Sequence, residues 1–359
     1  MHFARAMVAE LGADNFRIAF EKPTSAARAE MGWQDDYDED YILRYWQSPD
    51  EVLYWINQAD VVIQGRFPIR SVKARIKRGQ LTFACQERLW KKPPTLLRKI
   101  SRLGHLYKNY ISVNRSNYHF LAIGQFAAQD LNDLGFFKGR SWRFGYFIDL
   151  PAYQERKLGN QIKLLWCARM SEVKQPLRAL DILSSLLENG RDVHLTMIGD
   201  GELRTSVEAA IAVNNLSEHV NLLGWQSQDQ VFENMQRSDL FLMTSNHGEG
   251  WGLVVNEALS HGCAVIANEA LGSAKYLIQH DVSGLLYSDD RMPDLHERLA
   301  DKDAQSIKAM GNAAYRSMHE MWSAKLATQR TIALSKALLS KDLAQAKALY
   351  EYGPCSFIA

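Results

Sequence analysis

The sequence predicts an α/β protein of two doubly wound parallel-sheet domains, and three observations lead there. Short apolar runs alternate with helical patterns along both halves of the chain, which is the order a parallel sheet with crossover helices requires. Several of the apolar runs end in glycine-bearing loops that open straight into a helix, as at Ile198-Gly-Asp-Gly201 and Met243 to Gly252. The 359 residues, 47% of them hydrophobic, are enough for two cores of ordinary size.

The second half alternates most cleanly. Strands are expected over 162–167, 194–198, 220–223, 239–243, 264–267 and 284–287, and helices over 176–188, 203–214, 228–237, 252–260, 273–278 and 292–300. The first half predicts strands over 16–20, 59–64, 81–85, 118–123 and 143–147, with helices over 2–11, 51–58, 69–78, 95–110 and 126–134. The acidic stretch 33–46 has no periodicity and reads as a long solvated loop. The polar stretch 154–160 reads as a linker. The expected domains are therefore 1–152 and 160–302, followed by helices over 303–359.

Composition narrows the function classes. No apolar run approaches the roughly 18 residues of a membrane span, and the first residues lack the layout of a secretion signal, so a cytoplasmic protein is expected. The four cysteines are scattered without paired or histidine-matched spacing, which indicates neither a disulfide framework nor a zinc site. The net charge of +1 conceals an asymmetry: residues 1–60 hold 12 acidic and 5 basic side chains, whereas residues 66–115 hold 14 Lys and Arg against the single acid Glu87. That basic segment, interleaved with Trp90, Leu106 and Tyr107, reads either as a peripheral contact with anionic lipid on the inner face of a membrane or as a solvated helix face. No nucleic-acid motif accompanies the charge, so nucleic acid is not expected as a partner.

The stretch 243–263 carries the most chemistry. Gly248, Gly250 and Gly252 leave a loop nearly free of side chains, and the helix expected from Gly252 points its positive end at the same place, which together suit an anion. Glu249 and Glu257 flank that place. Carboxylates accept from hydroxyls, so a ligand offering both hydroxyls and phosphate, a nucleotide sugar, matches the spacing. Arg169 and Lys174 follow the strand at 162–167 and would offset a diphosphate's charge. Ile198-Gly-Asp-Gly-Glu-Leu-Arg204 resembles a dinucleotide turn, but Arg204 occupies the third glycine's place, and Glu218 precedes the next strand where a ribose-binding acid must follow it.

Glu249-Gly-Trp-Gly-Leu-Val-Val-Asn-Glu257 resembles the E-x7-E signature of the retaining GT-B glycosyltransferases of family 4, in particular bacterial members that build surface polysaccharides. The resemblance implies two Rossmann-like domains facing a cleft, and helices after residue 303 that partly pack back on the first domain. It assigns catalytic roles to Glu249, Arg169 and Lys174, with Glu249 on the transferred sugar and Glu257 on the ribose. Gly199, Gly201, Trp225, Gly250, Trp251, Gly252, Leu253 and Val254 complete the implied donor site, where Trp225 either stacks on a base or is buried in the core. Ligands of such sheets sit beyond the carboxyl ends of strands, which singles out Arg66, Gln86, Glu87 and Arg88 on the acceptor side, with a salt bridge from Glu87 to Arg88 or Lys91 as the alternative. The implied partners are a nucleotide diphosphate sugar and a glycan or lipid-linked acceptor, with no cofactor and no metal.

Departures from the pattern are visible. Ala168 stands where the family has Gly, Lys275 where it commonly has Glu, and the strand and glycine loop expected before the helix at 2–11 are not found. His247 and His261 flank the signature and read as structural, while His2 is a weak match to a family histidine. The rival class is a catalytically silent GT-B protein that binds a glycan or a partner enzyme.

Overall fold

A computed structural model describes residues 1–24, 37–91, 95, 104, 106–107, 110–152, 159 and 161–359. The chain forms two compact units, one of Met1–Phe147 with Ala324–Ala359 and one of Ile148–Ser323. The predicted linker lies almost wholly outside the described residues, as does most of the predicted helix at 95–110.

The second unit holds six parallel strands, β7 (Ile162–Cys167), β8 (Val193–Ile198), β9 (Val220–Gly224), β10 (Leu240–Met243), β11 (Ala264–Asn268) and β12 (Gly284–Tyr287). Their order is β12-β11-β10-β7-β8-β9, so the chain runs outward from β7 to one edge and then from β10 to the other. β10 and β11 are buried at every residue, as continuous apolar runs must be when helices cover both faces. Leu164, Trp166, Leu195 and Leu242 from the sheet pack with Leu183, Val207 and Leu295 from the helices. Pro176 opens the helix Pro176–Glu188 with its φ already set. Ser227 and Gln230 form a capping box on the helix Gln228–Arg237. The helix Ala304–Glu320, capped by Asp303, also belongs to this unit.

The first unit has β3 (Val62–Gln64), β4 (Thr82–Gln86), β5 (Tyr118–Ile123) and β6 (Ser141–Phe144) in parallel, closed at one edge by the antiparallel β13 (Phe357–Ile358). Two sequence expectations are corrected here. The predicted strand at 16–20 forms as β1 (Ile18–Phe20) but stays outside this sheet, pairing with β2 (Ile42–Arg44) in a separate parallel ribbon. That partner strand arises inside the supposed solvated loop, because Tyr41, Ile42 and Leu43 bury their side chains behind the acidic run. The last strand was missed because Phe357 and Ile358 are too few to show a period.

One arginine of the basic segment is a structural part. Arg75 is 0% exposed. Its guanidinium uses all its N–H donors on oxygens: Nε on Thr82 Oγ1 at 2.9 Å, and the two terminal nitrogens on the carbonyls of Ile56, Ala59, Asp60 and Leu81. Burial draws its pKa down to about 10. Arg75 thus ties the helices Pro49–Gln58 and Ile69–Lys77 to the start of β4 and adds no charge to the surface. Replacing it with Met fills the volume but removes five hydrogen bonds to buried or half-buried oxygens, so Arg75→Met is expected to lose at least about 3 kcal/mol of stability in urea unfolding.

Candidate functional site

The strand order of the second unit reverses between β7 and β10, and in such sheets a crevice opens beyond the carboxyl ends of the two strands at that point. The loops that follow these strands carry Arg169 and Lys174 on one side and Gly248 to Gly252 on the other. They are stitched together. Thr244 Oγ1 accepts from Trp166 Nε1 at 2.9 Å and donates to the Lys174 carbonyl at 2.7 Å. The Asn246 N–H donates to the Val173 carbonyl at 2.9 Å, and its side-chain amide donates to Glu172 O at 3.2 Å. The Asn246 carbonyl and side-chain oxygen then accept from the N–H groups of Glu249 and Gly248.

This stitching sets Glu249 against Lys174, and Lys174 Nζ donates to Glu249 Oε2 in a half-buried ion pair. Glu257 lies one helical turn into Val254–Ser260. No hydrogen bond or ion pair to its carboxyl group is present among the described residues. Burial alone pushes its pKa up to about 7. Cys167, the last residue of β7, has its thiol pushed up to about 12, first by burial and then by the Glu257 charge, with Lys174 acting in the opposite direction. Cys167, Lys174 and Glu257 therefore share one electrostatic neighbourhood.

Glycine is required where backbones touch. At Gly199, with φ of 122°, a Cβ would lie 1.9 Å from the Ala168 carbonyl oxygen, and at Gly201 one would lie 2.5 Å from that of Met170. The loop after β8 is thereby pressed onto the loop after β7, and Met170 N–H bonds to Asp200 O at 2.8 Å. Gly199 and Gly201 hold the Arg169 loop in place. Gly272 does the same for the signature loop, since a Cβ there would lie 1.9 Å from Gly250 O.

Arg169 is 75% exposed, with its Nε 3.2 Å from Glu202 Oε2. Trp225 stands past the end of β9 and is 74% exposed, which decides between its two readings in favour of an open ring. Trp251 is buried: it is 1% exposed, donates to Asn256 Oδ1 at 2.7 Å, and packs beside Tyr276 and Trp322. Its side chain anchors the loop and leaves only backbone toward a ligand. The helix expected from Gly252 begins at Val254, because Gly252 has φ of 79°. Gly250, Gly252, Leu253 and Val254 remain as the backbone of the turn entering it. The charge inverted at Lys275 is balanced locally by Glu269, 3.0 Å away, which also pairs with Arg291. His261 stacks on Phe232, and its Nδ1 lies 2.8 Å from the Glu257 carbonyl; His247 is exposed.

The acceptor-side candidates separate in the first unit. Gln86 Nε2 donates to the Tyr110 hydroxyl. Arg88 lies 3.6 Å from Asp130 and over the Phe126 ring. Glu87 pairs with neither Arg88 nor Lys91; it accepts from the Tyr146 hydroxyl at 2.9 Å. Arg66 is exposed. Thr244, Asn246 and Tyr146 were not singled out by sequence reasoning, although three polar residues directly after the apolar run of β10 are a signal of a loop that must find partners.

Glu257 also provides a test. Its folded pKa near 7 stands above the ordinary 4.5, so its proton stabilises the fold fully below about pH 4.5, and that contribution is lost as pH rises through 7. The shift corresponds to about 3 kcal/mol. Glu257→Gln is expected to gain stability relative to the wild type in going from about pH 5 to about pH 8, measured by thermal unfolding. Parallel behaviour of the two proteins would show the carboxyl group to be solvated.

Comparison with known proteins bears mainly on the second unit. Residues 153–316 match the family model described as glycosyl transferases group 1. A stretch of 134 residues is 31% identical to the amylovoran biosynthesis glycosyltransferase AmsK of Erwinia amylovora, covering 36% of this chain and 33% of that protein. Another of 124 residues is 33% identical to the uncharacterized glycosyltransferase MJ1178 of Methanocaldococcus jannaschii, covering 34% of each. The chain thus spans about a third of the length of these curated relatives. Anabaena Alr3699/HepE, solved in complex with UDP, superposes with a TM-score of 0.67 at 16% identity over 94% of this chain and 96% of that one. The second unit is therefore similar to group 1 glycosyl transferases, and the whole chain has the GT-B fold of two Rossmann-like units.

Proposed function

We propose that the protein is a retaining glycosyltransferase that moves a hexose from a nucleotide diphosphate sugar to a hydroxyl of a glycan or lipid-linked acceptor, in surface polysaccharide synthesis. The observation that carries this reading is the Lys174 to Glu249 pair at the strand-order switch, with Glu257, whose carboxyl group has no partner among the described residues, acting with Lys174 on the same Cys167 thiol. A cation and two carboxyl groups on the elements that line this end of the sheet suit a ligand that is anionic at one end and rich in hydroxyls at the other.

The Lys174 ammonium has three donors, so it can keep Glu249 while taking a phosphate oxygen. Arg169 exchanges its exposed partner Glu202 for the diphosphate at little cost, since such surface pairs contribute only about 0 to 1 kcal/mol. Together they stabilise the diphosphate as it leaves, supplying the positive charge that a metal ion provides in other transferases, and none is required. Glu249 holds a hydroxyl of the sugar, Glu257 the ribose, and the exposed Trp225 ring stacks on the base. The acceptor hydroxyl attacks the anomeric carbon from the face the diphosphate leaves, the diphosphate takes the bonding electrons and one of its oxygens takes the hydroxyl proton, and the configuration is retained.

The two glutamates separate in a binding and turnover experiment. Glu257→Gln is expected to weaken the nucleoside diphosphate and the sugar donor alike, because both contain the ribose. Glu249→Gln is expected to spare the diphosphate while turnover falls by about tenfold or more, since the lost contact positions only the sugar. Lys174→Ala is expected to weaken the diphosphate by about tenfold and leave the free nucleoside unaffected. Calorimetry gives the affinities and release of free nucleoside diphosphate gives turnover, with and without excess chelator. A protein that binds these ligands but releases no nucleoside diphosphate would be a silent binder, and loss of turnover in chelator would overturn the metal-independent mechanism.

A further inference from the structure

The loop that carries Glu249 offers main chain to a ligand, so its position depends on what packs beneath it. Trp251, between the two glutamates of the signature, is 1% exposed and donates from its indole N–H to Asn256 Oδ1 at 2.7 Å. Asn256 is 0% exposed and immediately precedes Glu257 on the helix Val254–Ser260. One ring therefore ties the loop of Glu249 to the helix of Glu257. Two other rings pack on it: Tyr276, edge on, with centroids 6.2 Å apart, and Trp322, also with centroids 6.2 Å apart. Tyr276 and Trp322 stack on each other at 6.0 Å.

Tyr276 belongs to the neighbouring helix Ala274–Leu277, next to the close contact of Gly272 with Gly250. Trp322 comes from elsewhere in the chain. It is 0% exposed and follows the helix Ala304–Glu320, with its N–H bonded to the Ser317 and Met318 carbonyls, each at 3.2 Å. That helix is itself pressed onto the far end of the signature helix, because a Cβ on Gly311 would lie 2.3 Å from the Gly262 carbonyl oxygen. Both ends of the signature segment thus rest on one element, at Gly262 through main chain and at Trp251 through Trp322. The second unit ends one residue later, at Ser323.

Main-chain N–H groups cannot reach for a ligand as a side chain can, so they serve a diphosphate only where the fold holds them, and a displacement of about 1 Å costs about a hundredfold in rate. A ring removed from a close-packed interior leaves a cavity into which its neighbours settle only in part. We propose that Trp322 is a positioning residue for the donor site: through Trp251 it fixes the Gly250 to Gly252 backbone and the placement of Glu249 relative to Glu257, an inference that rests on the transfer reading above. Trp322 touches no ligand in this arrangement.

The test uses the full chain with Trp322→Ala, Trp322→Phe and, as a control, Leu183→Ala, which opens a cavity in a core cluster of the same unit that includes no signature residue. Uridine and guanosine, their diphosphates, UDP-glucose and GDP-mannose are titrated by calorimetry, release of nucleoside diphosphate gives kcat, and hydrogen exchange of the amides of 250–254 is followed without ligand. Trp322→Ala is expected to speed that exchange, to weaken the diphosphate and its sugar by about tenfold and to lower kcat at saturating donor, while the free nucleoside binds as before. Trp322→Phe, which keeps a ring, recovers most of the loss. Leu183→Ala lowers the melting temperature and leaves the ratio of diphosphate to nucleoside affinity unchanged. Trp322→Leu replaces Trp322→Ala if the smaller side chain prevents folding, with the same expectations. Unchanged exchange or unchanged diphosphate affinity in Trp322→Ala, or the same selective loss in Leu183→Ala, would overturn the proposal. A wild type that binds none of the diphosphates would count against the transfer reading, and exchange at 250–254 would then decide alone whether Trp322 holds the loop.

Discussion

Everything proposed for the second unit depends on the bonds that join the loop after β10 to the loop after β7. Two parallel strands from opposite halves of the winding diverge beyond their carboxyl ends, and their loops would be free to separate. Thr244 and Asn246 prevent that by satisfying main-chain groups of Glu172, Val173 and Lys174, so the two loops move as one body. The Lys174 to Glu249 contact is a consequence of this joining. A mutation at Thr244 or Asn246 would change the site without touching a ligand.

The site and its surroundings treat charge differently. Arg169 keeps its charge in water, where a partner contributes little and can be exchanged. Glu257 is desolvated without an opposite charge to offset it, and the cost appears as its raised pKa. A destabilised carboxyl group kept ready for a ligand is a common compromise between stability and function. Arg75 shows the contrasting case, a buried charge whose donors are all answered by four carbonyls and the Thr82 hydroxyl and which has nothing left to offer a ligand.

The second unit was legible because its strands are continuous apolar runs and its helices start at Pro176, Ser227 and Met292, where local chemistry and tertiary packing agree. Within the signature, Gly252 sits at a positive φ that favours glycine, so local chemistry and backbone agree there as well. Other features depended on distant partners. Trp251 and Trp225 belong to one residue type in similar glycine-flanked settings, yet one is filled in by Tyr276 and Trp322 and the other is left 74% exposed. Glu87 found Tyr146, 59 positions away, in place of its neighbour Arg88, which Asp130 claimed. Such competition between partners is decided by tertiary geometry and leaves no trace in local spacing.

The first unit is discontinuous in sequence. Its opening helix His2–Leu11 packs on Ala324–Leu339, with Gln329 bonded to Glu10 at 2.8 Å, and β13 pairs with β6 across more than two hundred residues. The second unit lies wholly inside that interruption. During synthesis the order of emergence is therefore not the order of completion: the second unit has all of its strands available while the first still lacks an edge and a covering helix. β6 waits with unpaired main-chain groups until Phe357 and Ile358 arrive, and an unpaired strand edge is where chains associate wrongly. Phe357 and Ile358 act, in that sense, as a late-arriving seal on a sheet whose other strands were made more than two hundred residues earlier.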